Sequence, residues 1–113
     1  MTEILLVKAK DGSSLECKAS GHAGFAGKGK DIVCSAVTIL MRTAIEVFLS
    51  TGGIKLETDT SCRGYLSFTA GAQKSDPLLK ERISTIGDFL KEGFDSLSKE
   101  FPKNVTFELK LED

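Results

Sequence analysis

The chain's single histidine, His22, stands twelve positions before a cysteine, Cys34, in the stretch SGHAGFAGKGKDIVCSAVTIL at residues 20–40. A thiolate attacks carbonyl carbon, and an imidazole beside it can take the thiol proton and later return it to the leaving amine. The residue types therefore fit nucleophilic catalysis by a thiol. Their spacing fits it only if the glycine-rich stretch between them folds back and brings imidazole to sulfur.

The elements around the pair bear on that condition. Apolar residues Val33, Ala36, Val37, Leu40, Ala44, Val47 and Phe48 recur at helical spacing until TGG at residues 51–53 ends the pattern. This predicts a first helix starting near Asp31, with Asp31 as N-cap and Cys34 in the first turn. There, unpaired amides and the helix dipole favour an anion, and a cysteine pKa of about 8.5 can drop to roughly 3.5–7.5. An amide at that helix start, of Cys34 or a neighbour, would also be placed to hold an oxyanion. Asp31 has two candidate tasks, capping the helix or orienting His22. A carboxylate near sulfur opposes thiolate formation unless it pairs with the imidazole. A helix-start cysteine can equally be a packing residue, and position alone leaves both readings open.

Two other chemistries fit the stretch poorly. A Walker phosphate loop needs G-x-x-x-x-G-K-[ST], whereas Lys28 and Lys30 are followed by Gly29 and Asp31, with no hydroxyl for magnesium. A zinc site from Cys17, His22, Cys34 and Cys62 lacks any C-x-x-C pair. No metal and no cofactor is expected. Gly21, Gly24, Gly27 and Gly29 read either as a flap that closes over an extended peptide or as an ordinary connection.

The remaining pattern supplies the frame. Residues 3–9 read as a strand rich in Leu, Ile and Val, and after the turn DGSS the chain resumes with Leu15, Cys17 and Ala19 alternating with Glu16 and Lys18, a hairpin with Cys17 on its apolar side. GIKLETD and GYLSFTA are two further strands, with Cys62 in the turn between them. Asp76 and Pro77 are N-cap and first residue of a second helix, whose stripe is Leu79, Ile83, Ile86, Leu90, Phe94, Leu97 and Phe101. Gly87 and Gly93 inside it point to close packing or a subunit contact. Val105, Phe107, Leu109 and Leu111 alternate in a last strand. The order ββαββαβ predicts an α+β two-layer sandwich, with two helices on one face of a mixed five-stranded sheet. Ile32 and Ile39 widen the first helix's apolar face and suggest burial on more than one side.

With 113 residues, one domain spanning 1–113 is expected, large enough for a core without disulfides. A net charge of −1 gives no reason to expect nucleic-acid binding. The start MTEILLVKAK lacks the marks of a signal peptide, and no apolar run of spanning length is evident. A cytoplasmic protein with no membrane contact and reduced cysteines is expected.

GHAGFA followed by GKDIVCSAV resembles the signature of the Prp family of bacterial ribosomal-processing cysteine proteases, and the length and element order are similar along the whole chain. The resemblance implies a cysteine endopeptidase that removes the N-terminal extension of large-subunit ribosomal protein twenty-seven, whose N-terminal segment is the peptide substrate. It puts the catalytic histidine on His22 and the nucleophile on Cys34, and Asp31 matches the family's acidic position. It implies a flexible loop over residues 24–29 and a homodimer packed through helices, with the second helix a candidate surface. Ser35 and Thr38 replace the Ala and Ser usual in the family, so Ser35 puts a hydroxyl next to the nucleophile that bears on substrate fit. The competing reading is a non-catalytic ribosome-associated binding module on the same fold.

Overall fold

A computed structural model describes residues 1–21, 28–60 and 64–113, with only the backbone for residues 28–31. The expected order is present: β1 (Thr2–Ala9), β2 (Ser14–Ser20), α1 (Lys28–Leu49), β3 (Ile54–Asp59), β4 (Tyr65–Ala72), α2 (Pro77–Glu100) and β5 (Val105–Glu112). The five strands form one sheet in the order β3-β4-β2-β1-β5. β1 and β5 run parallel and the other pairs antiparallel, so the sheet is mixed.

Strand alternation makes the sheet two-sided. Leu6 sits opposite Cys17 and Leu109, and Cys17 opposite Phe68, which places these side chains in one row across the sheet. Leu6, Cys17 and Phe68 are fully buried, while Glu3, Lys18, Glu108 and Lys110 on the other face are exposed. Both helices cover the apolar face. Val33, Val37, Met41, Ala44 and Phe48 of α1, and Ile83, Leu90 and Phe94 of α2, complete a single core. Phe48 meets Phe68 with ring centroids 5.8 Å apart, and Phe94 meets Phe107 at 5.6 Å, both tilted.

The second helix follows its sequence signals closely. Asp76 is extended at φ −110° and ψ 118°, its carboxylate accepts from the Leu78 amide at 2.9 Å, and Pro77 opens the helix. Gly87 and Gly93 serve close packing: a Cβ on either would come within 3.1 Å of a leucine methyl, Leu15 for Gly87 and Leu40 of α1 for Gly93.

The first helix departs from expectation in three ways. It starts at Lys28, so Asp31 is its fourth residue and not an N-cap. Ile32 is 55% exposed and Ile39 62%, so α1 is buried on one side only. Its segment Ile32–Leu49, with a mean hydropathy of 1.9 over 18 residues, is long and apolar enough to cross a membrane, an apolar run longer than the sequence reading allowed for. In the fold, that segment supplies the five core residues named above.

Candidate active site

Cys34 is the seventh residue of α1, nearly two turns from its start. The stabilisation expected from a helix N-terminus therefore does not reach it, because that field fades within the first turn. At this depth its amide belongs to the helical ladder, bonded to the carbonyl four residues earlier, and is not free to hold an oxyanion. Extending the helix over Lys28, Gly29 and Lys30 moved the start away from the thiol. Gly29 is thus in the first turn of α1 and not in a loop.

Although the helix start is distant, the thiol remains accessible. Cys34 is half-buried and lines a cleft of about 250 Å³ between α1 and one end of the sheet. Thr38 and Arg42 follow it along α1, at intervals of four residues that keep them on one helix face. The opposite wall comes from Gly21 at the end of β2, Thr60 after β3, and Gly64 and Tyr65 at the start of β4. A groove of about 550 Å³ adjoins it, sharing Arg42, Thr60 and Leu66. Together they form an elongated trough with the thiol near one end.

Gly21 is held tightly at that end. Its amide donates to the Gly64 carbonyl at 2.9 Å, extending the β2–β4 ladder by one bond. A Cβ there would lie 2.9 Å from Thr2 Cα and 3.0 Å from the Met1 carbonyl oxygen, both backbone atoms. The absence of a side chain lets β2 pass the start of β1 and deliver the chain to the cleft at position 21. His22 is the next residue.

His22, Gly24, Gly27 and Cys62 lie outside the described residues, as does the side chain of Asp31. Ser35 is exposed and does not line the cleft; one residue along the helix turns it away, and Thr38 supplies the hydroxyl there instead. Cys17 is buried, and desolvation pushes its thiol up to about 12, which makes it a packing residue. Among the described residues, no group of three or more His, Cys, Asp or Glu could hold a metal ion. Thr2, Arg42, Thr60 and Tyr65 were not singled out from sequence. The signal for Arg42 was its spacing of eight from Cys34, whereas the other three depend on strand order.

A half-buried cysteine on a helix, facing a trough at one end of a five-stranded sheet covered on one face, makes this an α+β scaffold that presents a thiol to whatever the trough holds. Residues 1–106 match the family model for cysteine protease Prp, and the chain belongs to that family of ribosomal-processing cysteine proteases. The ribosomal processing cysteine protease Prp of Bacillus subtilis is 20% identical over 105 residues, covering 93% of this chain and 94% of the relative. Among solved structures, SMU.848 from Streptococcus mutans has a TM-score of 0.73 at 23% identity, covering 99% of this chain and 96% of that one. The essential ribosomal processing protease Prp from S. aureus, in complex with a substrate peptide, has a TM-score of 0.74 at 15% identity, covering 97% and 100%. These structures share the fold.

Proposed function

We propose that this chain is the cytoplasmic endopeptidase that removes the N-terminal extension of bacterial large-subunit ribosomal protein twenty-seven. The observation that carries the reading is the accessible thiol of Cys34 in the trough, with Gly21 on the facing wall and His22 next in the chain. Cys34 Sγ attacks the scissile carbonyl carbon, and His22 takes the thiol proton and gives it to the leaving amine. Water then hydrolyses the thioester and regenerates the thiol. Asp31, inside the first turns of α1, orients the imidazole. Supporting the substrate assignment are the ribosomal-processing names of the relatives and the peptide bound to the S. aureus protease.

Residues 1–113 work as one protease domain, paired in a homodimer through helix faces. Ile32 and Ile39 on α1 and Phe89 on α2 are exposed apolar side chains suited to such a seam. The test of the dyad is His22→Ala. It should lower kcat for a peptide spanning the extension junction by a hundredfold or more, of the order expected for loss of a general base. An unchanged kcat would remove His22 from the mechanism.

A further inference from the structure

Of the described residues lining the Cys34 cleft, one carries a charge: Arg42. It is exposed, and no ion pair joins it to another described side chain, including Glu46 one turn further along α1 in the adjoining groove. The other described residues of the cleft wall, Val37, Thr38, Thr60, Tyr65 and Leu66 among them, are uncharged, either apolar or hydroxyl-bearing. A planar, permanently charged fork at the junction of two grooves is matched by a carboxylate, which it can hold through two parallel hydrogen bonds.

We propose that Arg42 is a specificity-determining residue of the peptidase, selecting substrates with an acidic side chain a short, fixed distance from the scissile bond. Helix geometry sets that distance. Eight residues of α-helix span about 12 Å, and an extended peptide covers this in about four residues at roughly 3.3 Å each. Helical side chains lean toward the N-terminus, which brings the guanidinium back toward Cys34. The acidic residue therefore falls about three positions from the bond that is cut. This inference rests on peptidase activity at Cys34 and is independent of which ribosomal protein is processed.

The experiment uses one neutral peptide scaffold that the wild-type protein cleaves, with Glu or its isostere Gln placed in turn at two to four residues on each side of the junction. Wild-type kcat/KM should favour Glu over Gln by about tenfold at one position, and the ratio should shrink in 0.5 M salt. Arg42→Gln should bring the ratio to one, and Arg42→Glu should favour a Lys peptide at the same position. Peptide binding to the Cys34→Ala protein gives the same comparison without turnover. Equal Glu and Gln rates at every position, or a preference that survives in Arg42→Gln, would overturn the proposal. Loss of all cleavage in Cys34→Ala, with no Glu preference in the wild type, would sink the Arg42 assignment and leave the peptidase reading standing.

Discussion

The amide of Gly21 donates to the carbonyl of Gly64 at 2.9 Å, tying the residue before His22 to the residue that starts the return into β4. The β2 strand thus ends at a fixed point on the cleft wall. Because Thr2 Cα lies 2.9 Å from where a Cβ would stand, Gly21→Ala requires β1 and β2 to part. Such overpacking costs about 1–3 kcal/mol. The variant should lose several degrees of Tm, at about 4 °C per kcal/mol, and, with His22 as the proposed base next in the chain, its kcat/KM should fall about tenfold or more. Calorimetry and peptide cleavage check both. A variant with wild-type Tm would show that the strand end has room to spare.

Thiol reactivity separates the described cysteines. Cys34 lines an open cleft, while Cys17 is fully buried with its thiol pushed up to about 12 by desolvation. With limiting iodoacetamide at pH 8, peptide mapping should find Cys34 carboxymethylated and Cys17 unmodified until the protein unfolds. The His22→Ala variant should be alkylated more slowly at Cys34. Equal rates at Cys34 and Cys17 would favour a non-catalytic binding module.

The same burial makes stability depend on alkali. Cys17 titrates from a reference value of 9.0 in the unfolded chain to about 12 in the fold, so between those values the unfolded state has released a proton that the native state keeps. Stability from this group is intact below pH 9 and falls as pH rises toward 12, by about 1.4 kcal/mol per pH unit. Urea unfolding at pH 8 and pH 10.5 should show a smaller loss for Cys17→Ala than for wild type. Equal losses would show that Cys17 does not contribute to the alkaline slope.

At the start of α2, the Asp76 carboxylate accepts from the Leu78 amide at 2.9 Å. Asp76→Ala should cost about 1 kcal/mol and Asp76→Asn much less, since the amide oxygen still accepts the bond. Denaturant midpoints at constant m-value would measure the difference.

How far sequence reached is visible in the two helices. α2 was legible because its signals are local: a capping carboxylate, a proline at the first position, and a stripe ending before Pro102. α1 was misread at its start because glycines weaken helix propensity only modestly, and tertiary contacts decide whether the first turn forms. Ile32 and Ile39 misled because apolar character alone does not say which faces find a partner; both are exposed. The thiol was found because its chemistry is written in the residue type. Thr2, Thr60 and Tyr65 were out of reach because they come to line the same cleft as Cys34 only through the strand order β3-β4-β2-β1-β5, to which no local pattern refers.

The most direct measurement mixes the protein with ribosomal protein twenty-seven bearing its N-terminal extension and reads the product's N-terminus by mass spectrometry. The account predicts a single new N-terminus at the junction with the wild-type protein and none with Cys34→Ala. An intact extension after prolonged incubation with the wild type, or equal processing by Cys34→Ala, would contradict it.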